Sequence, residues 1–312
     1  MAISAPFLVS KDIAAWGPTG SLKKYRVENL EVRPIEAEVY DSNIAVPLTM
    51  RDQPIVGPTW TSAHLEVLMS GSGETAPITA PPDGPLIKAC ALKETSAGTP
   101  VSTITYAVTG EIQPSTSGGD QTACDMAFYR GNGLACYLTS AAGNVEWVYN
   151  AGKPARVIYD LVGIGAAMTE ASSSESAGDA AVPPVCKALT ATVGGKSVTL
   201  KELRITAGNV TNSPFLSIEA STVNAPIVID QVPLITARFI VPAASTLNPF
   251  TLFTGGTVVD FAITLGTAAG NTCATTVKGF IRSLNLETID GLLGVNIACD
   301  MDWDNKLQHV WQ

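Results

Sequence analysis

The chain has 312 residues, of which 46% are hydrophobic, 15% charged and 6% aromatic, so it can bury one large core or two smaller ones. Its net charge of −9 excludes nucleic-acid binding through phosphate neutralisation. An acidic passage could let DNA move without sticking, although solubility alone also accounts for the charge. Few charged residues and abundant Ala, Thr, Val, Gly and Ser favour strands over surface helices, which predicts a mainly β fold.

The six cysteines are dispersed and none forms a C-x-x-C pair, so we expect buried free thiols in a reducing compartment. The first residues lack the basic start of a signal peptide. No apolar stretch approaches the roughly 18 residues of a membrane span. We therefore expect a protein that folds in a cytoplasm and has no membrane span.

The first elements of the chain are an arm and two strands. Residues 1–30 are predicted to form an extended arm, because glycines and a proline interrupt any helix. Residues 31–41 alternate as an edge strand does, and Pro34 suits an edge. In residues 59–69, TWTSAHLEVLM, polar and apolar side chains alternate clearly. This second pattern predicts a strand with one buried face.

A long polar loop and a short helix follow. Residues 70–84 are rich in Gly and Pro, and loops of about 12–15 residues or more inside compact domains are often functional. We predict a helix over residues 85–93, with Asp83 as its cap and Pro85 in its first turn.

The remaining pattern alternates strands with turns. Before a small, acidic linker at residues 169–184, strands are predicted at residues 101–108, 122–130, 134–140, 144–149 and 155–163, with a tight hairpin at residues 130–133. Beyond the linker, strands are predicted at residues 188–193, 196–208, 234–241, 258–266, 274–288 and 292–303. A second short helix is expected where Asn248 can act as a cap and Pro249 occupies the first turn.

The two halves have a similar order of elements. Residues 63–67 and residues 237–241 are similar strands, and each precedes a short helix begun by proline. We interpret this as an internal duplication. The predicted organisation is an N-terminal arm (1–30), a first β domain (31–168), a linker (169–184) and a second β domain (185–312).

No pattern predicts a catalytic, cofactor-binding or metal-binding residue, so the chain is not expected to be an enzyme. His64 and His309 are the only histidines and lie far apart without a triad pattern. Residues 71–73, Gly-Ser-Gly, lack the Lys-Ser/Thr ending of a phosphate loop.

Acidic residues give no metal or paired-carboxylate site either. Asp300, Asp302 and Asp304 alternate, but the Gly and distal Glu of an EF-hand are absent. A solvated strand end is the favoured interpretation. Asp41 and Asp52 show no partner in the sequence pattern.

Several segments in order resemble the tail tube proteins of long-tailed, siphovirus-type bacteriophages. They are the strand WTSAHLEV at residues 60–67, the Gly-Ser-Gly of residues 71–73 and the run PLIKACAL at residues 85–92, which is similar to the family's short helix. The resemblance extends through residues 143–145, 151–154, 161–163 and 208–209. Ala91 departs from the family where Gly is usual, and Ala142 departs where a basic residue is frequent.

The resemblance implies tandem tail-tube-type β-sandwich or barrel domains, each with one short α-helix. Subunits of this family join sheets edge to edge into rings, and the rings stack into a hollow tube through which DNA passes during ejection. Two domains in one chain imply a ring of three chains with pseudo-sixfold symmetry, or else a ring of six. The loop that contacts a neighbouring ring or subunit corresponds to Gly71, Ser72, Gly73, Glu74, Thr75, Pro77, Pro81, Pro82 and Asp83.

The resemblance also implies location and partners: the virion tail, assembled in the host cytoplasm, with the tape measure protein, the tail terminator and distal tail or baseplate proteins. Two other function classes remain open. One is a β-rich virion decoration or host-surface binding module, and the other is a β-sandwich enzyme such as a glycosidase. The scarcity of His, Arg and aromatic residues counts against both.

Overall fold

A computed structural model describes residues 13–18, 20–25, 27–40, 55–75, 77–108, 120–130, 133–165, 168–178, 182–186, 190–212, 215–216, 223–243, 246–302 and 307–312. The fold is mainly β, with large antiparallel sheets, and this confirms the predicted fold class at that level. Asp41, Asp52 and Asp304 lie outside the described residues.

The first half contains one helix, α1 (Gly84–Ala89), and ten strands. The strands are β1 (Ile13–Gly17), β2 (Lys23–Tyr25), β3 (Asn29–Tyr40), β4 (Ile55–Leu68), β5 (Lys93–Ala97), β6 (Thr103–Ala107), β7 (Cys124–Arg130), β8 (Leu134–Asn150), β9 (Arg156–Gly165) and β10 (Thr169–Glu170). Both counts refer to the described part of the chain.

The described residues of the second half contain one helix, α2 (Pro249–Thr254), and twelve strands. The strands are β11 (Thr190–Val193), β12 (Lys196–Ser197), β13 (Thr199–Thr206), β14 (Asn209–Thr211), β15 (Phe215–Leu216), β16 (Val223–Asn224), β17 (Val228–Gln231), β18 (Leu234–Ile240), β19 (Val258–Leu265), β20 (Cys273–Ile289), β21 (Leu292–Met301) and β22 (Gln308–Trp311).

The strand order of the first half recurs in the second. Strands pair in the order β3–β4–β9–β8–β7 in the first half and β13–β18–β21–β20–β19 in the second. β8 and β20 are each long enough to pair first with one neighbour and then, beyond a register shift, with another. The predicted strands 134–140 and 144–149 are thus one strand, because a bulge bends it without breaking it.

One hydrophobic core connects the halves. Its members come from both, including Trp16, Trp147 and Tyr159 of the first half and Phe239 and Ile297 of the second. β22 near the end of the chain pairs with β6 and with β20, which closes the core on another side. The cysteines are buried and free, as predicted.

The two helices differ in how they begin and end. Asn248 caps α2 through its side chain, which accepts from Phe250 N at 3.0 Å, as predicted. The prediction for α1 is wrong at its C-terminal end, because the helix stops at Ala89 and Lys93 already begins β5. Ala91 has a φ of 58°, and this left-handed residue ends the helix.

The predicted arm and linker both make backbone contacts with the sheet. β1 pairs with β7 and places Trp16 in the core. Lys24 N donates to Ser176 O at 2.9 Å, and Gly178 N donates to Lys24 O at 2.8 Å. The division of the chain into two domains by residues 169–184 stays a prediction.

Candidate assembly surfaces

The first part of the predicted contact loop is bound to the second half of the same chain. Gly71 N donates to Asn271 Oδ1 at 2.7 Å, and Gly73 N donates to Gly270 O at 3.1 Å. A Cβ on Gly71 would lie 2.1 Å from Gly270 O, so only glycine permits this approach. The turn at residues 270–271 therefore fixes the base of the loop.

The last part of the loop is buried beside α1. Trp16 Nε1 donates to Pro82 O at 2.9 Å, and Tyr159 OH donates to Asp83 Oδ2 at 2.8 Å. Asp83 occupies the N-cap position of α1, but its side chain makes no capping hydrogen bond. The expected capping role is therefore wrong, because Tyr159 takes the carboxylate into the core instead.

The nine predicted contact residues differ in burial. Gly71, Pro81, Pro82 and Asp83 are buried within the chain, and Ser72 is half-buried. The exposed residues are Gly73, Glu74, Thr75 and Pro77. If this loop contacts another subunit, the exposed tip formed by residues 73–75 and 77 is the part that can reach it.

Replacement of Gly270 by alanine is expected to release the loop tip. Gly270 has a φ of 76°, and a Cβ there would lie 2.1 Å from Glu74 O. If the added Cβ lowers the stability of the closed loop conformation by about 1.4 kcal/mol, the population of the open conformation increases about tenfold. Cleavage after Glu74 by a glutamate-specific protease should accelerate accordingly. Gly291→Ala is the matched control, because Gly291 has a φ of 78° with no atom near its Cβ position; equal rates for the two variants would contradict the locked loop.

β8 of the first half pairs directly with β13 of the second, and we call this pairing the internal join. Residues 202–206 lie antiparallel to residues 146–150, with Arg204 opposite Val148. β13 also pairs with β18, so both of its edges are occupied. The result is one continuous sheet in the order β3–β4–β9–β8–β13–β18–β21–β20.

Arg204 forms one ion pair across the internal join, with Glu146 of β8, and a second within β13, with Glu202. Arg204 Nη1 lies 3.3 Å from Glu146 Oε1, and Arg204 Nε lies 2.6 Å from Glu202 Oε1. The hydrogen bond with Glu202 is the main reason that the pKa of Arg204 is raised above its usual value. Because half-exposed ion pairs contribute at most about 1 kcal/mol each, these pairs help to set the register rather than supply most of the stability.

The charged residues at the internal join have counterparts elsewhere in the sheet. If Ala63 is matched with Ala237, the strand pairings fix the other equivalences. Equivalent positions near the join then hold identical residue types: Glu31 and Glu202, Arg33 and Arg204, Asn144 and Asn285, and Glu146 and Glu287. The charge pattern of the join is thus duplicated with the sheet.

Two strand edges at the ends of the continuous sheet are free among the described strands. β3 pairs only with β4, although its equivalent β13 pairs with both β18 and β8. Residues 283–289 of β20 pair only with β21, although the equivalent part of β8 also pairs with β13. Such edges present N–H and C=O groups that a further strand can satisfy.

Apolar side chains are exposed beside the free edge of β20. Leu286 and Leu293 are each 57% exposed, whereas their equivalents Val145 and Val157 are fully buried. Val145 O accepts a hydrogen bond of 2.9 Å from Ala207 N, in the segment that follows β13. The first half is thus covered from the β13 side, and the equivalent side of the second half is uncovered.

One face of the continuous sheet is polar. Cross-strand partners share a face, and the strand register assigns to this face the carboxylates of Glu31, Glu66, Glu146, Asp160, Glu202 and Glu287 and the guanidinium groups of Arg33, Arg156, Arg204 and Arg238. Each of these arginines forms an ion pair with a glutamate. Because carboxylates outnumber arginines, the face has a negative potential.

A cleft of about 340 Å³ on the polar face contains a His–Asp pair that sequence reasoning missed. His64 Nδ1 lies 2.7 Å from Asp160 Oδ1, because the β4–β9 register places them opposite each other. Ser62 also lines the cleft. No hydrogen bond joins Ser62 to His64 within the described residues, so the three side chains do not form a Ser-His-Asp relay.

The other candidate residues remain separate from this cleft. His309 is buried, with its Nδ1 2.8 Å from Thr275 Oγ1. Asp300 forms an ion pair with Arg282 at 3.5 Å, and Asp302 is buried. Across the described residues, no group of three or more His, Cys, Asp or Glu side chains could hold a metal ion.

No protein-family model matches the chain, and no curated protein is similar to it beyond chance. No helix in the described part of the chain is long and apolar enough to traverse a bilayer.

Proposed function

We propose that the chain is the tail tube subunit of a long-tailed bacteriophage, a structural virion protein that self-assembles into stacked rings. The observation that carries this proposal is the internal join, which fuses two similar sheets edge to edge within one chain. The same kind of edge is free at both ends of the continuous sheet. A subunit with complementary free edges can extend its sheet from copy to copy until a ring closes.

In the proposed tube, the polar face of the continuous sheet lines the lumen. Its excess of carboxylates repels DNA phosphates, so the genome passes during ejection without being trapped. The arginines of this face are paired with glutamates and present little net positive charge to DNA. In this proposal the protein is located in the virion tail, and the tail is assembled in the host cytoplasm.

Ring size follows from the duplication. Two repeats per chain give a ring of three chains with pseudo-sixfold symmetry, whereas six chains would give twelve repeats. The exposed loop tip formed by residues 73–75 and 77 contacts the next ring or subunit in this proposal. The tape measure protein, the tail terminator and the distal tail or baseplate proteins are the proposed partners along and at the ends of the tube.

Electron microscopy of the purified protein tests the proposal. We expect negatively stained samples at increasing concentration to contain rings or hollow tubes, and native mass measurement of isolated rings to give three chains. Six chains per ring would contradict the trimer. A protein that stays monomeric at all concentrations, even with a tail initiator complex, would contradict the tube. If that monomer also bound a ligand in the His64 cleft, a decoration or host-surface binding module would be favoured.

A further inference from the structure

We propose that β3 of one copy adds to the free edge of β20 in a second copy, in the register with which β13 adds to β8 within the chain. This inference rests on the proposed function and specifies the contact that closes the ring. Its occupant is a second copy of the chain, because β3 is the equivalent of β13, and the free stretch of β20 contains residues 287–289, the equivalents of residues 146–148 that bind β13 in β8.

Charge complementarity supports this pairing of the two free edges. The donor strand carries Glu31 and Arg33 where β13 carries Glu202 and Arg204. The acceptor strand carries Glu287 where β8 carries Glu146. Both strands of the join between copies therefore present the charges that already meet inside the chain.

The internal register predicts which side chains meet. Arg204 lies opposite Val148 and reaches Glu146 on the diagonal. The equivalent register places Arg33 opposite Ile289, two residues from Glu287, and long side chains reach such diagonal neighbours. In a single copy, Arg33 pairs with Glu36 and its side chain is 77% exposed. Arg33 is therefore accessible to a glutamate of another copy.

Apolar burial supplies the driving force. Leu286 and Leu293 lie beside the acceptor edge and are exposed, although the equivalent side chains of the first half are fully buried. α2 also contacts β20, and its Phe250 and Phe253 rings are exposed. The C-terminal part of β3 would cover this acceptor edge when it pairs with β20. In the same way, the segment after β13 lies against β8 within the chain, where Ala207 N donates to Val145 O.

The join between copies has fewer backbone bonds than the internal join. Pro34 stands where β13 has Ile205, which lies opposite Trp147, and proline has no N–H to donate. A proline at this position is compatible with an edge strand but weakens its ladder. Side-chain contacts must therefore contribute more to the join between copies, which makes the Arg33–Glu287 pair a sensitive test.

Charge reversal at the two positions tests the inference in the full chain. Arg33→Glu should raise the concentration needed for ring formation about tenfold or more, because like charges then meet at every join. Glu287→Arg should have the same effect, and it also removes the ion pair that Glu287 forms with Arg238 of its own chain. The double variant should recover to within about threefold of wild type, because the pair is restored with opposite polarity. Light scattering and electron microscopy measure assembly, and circular dichroism checks that each variant folds.

Lys278→Glu is the control, because it makes the same change of charge as Arg33→Glu but lies away from both free edges. This variant should assemble as the wild type does. If wild type forms rings and Arg33→Glu assembles equally well, the register is wrong while the proposed function stands. If both single variants fold but fail to assemble and the double variant does not recover, the direct pair is likewise contradicted. If wild type forms no ring under any condition, the proposed function itself fails.

Discussion

Replacement of Trp147 by alanine is expected to lower the free energy of unfolding by about 3–5 kcal/mol. Trp147 is fully buried in β8, opposite Val157 on one side and Ile205 on the other. Its ring lies against His309 of β22, with 4.3 Å between ring centroids. Alanine would leave a cavity where both halves of the chain meet, and urea denaturation followed by circular dichroism measures the loss.

Trp60→Ala is the matched control for this cavity. Trp60 is only half-buried in β4, and its Nε1 donates to Glu36 Oε2 at 2.9 Å. Its loss should cost about 1 kcal/mol, the typical value of one hydrogen bond. Because residues of both halves form one hydrophobic cluster, Trp147→Ala should still unfold in a single transition. Two separate transitions, or a loss no larger than that of Trp60→Ala, would contradict a shared core at this position.

Periodicity was sufficient to predict the strands with one buried face. In residues 60–69, alternate side chains are buried from Thr61 to Met69, as the pattern of TWTSAHLEVLM indicates. The match of residues 63–67 with residues 237–241 also agrees with the shared strand order. A strict alternation of polar and apolar residues is a local pattern, so the buried face of such a strand can be predicted without knowledge of distant contacts.

The equivalence of the charged residues could not be found in the same way. Ala63 matches Ala237, but Glu31 matches Glu202 and Glu146 matches Glu287, so the spacing differs from strand to strand. Loops of different length separate the strands, and no single offset aligns the halves. Only the hydrogen-bonded register, which depends on tertiary pairing, places these residues in equivalent positions.

The predicted loop shows a further limit of local patterns. Its Gly- and Pro-rich composition indicated a polar loop, but Asp83 and the two prolines before it are buried. Their burial depends on Trp16 and Tyr159, which are distant in the chain and donate hydrogen bonds to the loop. Local composition therefore identified the loop but not the part of it that is available to a partner.

Asp83→Asn is expected to change how stability depends on pH. Burial raises the pKa of the Asp83 carboxyl to about 6, although the hydrogen bond from Tyr159 opposes the increase. The other carboxyl oxygen has no partner in the structure. A raised pKa means that folding favours the protonated acid. The stabilisation is therefore present below the unfolded value of 3.8 and is lost as pH rises to about 6.

His309 has the opposite effect over nearly the same pH range. Burial lowers the pKa of its imidazole from 6.5 to about 3, so acidification below 6.5 favours the unfolded, protonated form. Wild-type stability should therefore change little between pH 4 and 6, because the two contributions largely cancel. In Asp83→Asn only the histidine contribution remains, and stability should rise with pH across this range.

Each pH unit between the folded and unfolded values contributes about 1.4 kcal/mol, so between pH 4 and 7.5 Asp83→Asn should gain about 3 kcal/mol relative to wild type. Urea denaturation at several pH values, at concentrations below ring formation, measures this difference. Asp260→Asn removes an exposed carboxylate and should stay within about 0.5 kcal/mol of wild type throughout. Parallel pH profiles for wild type and Asp83→Asn would mean that Asp83 is ionised without penalty in the folded protein, and the buried carboxyl beside α1 would then require a compensating charge or water.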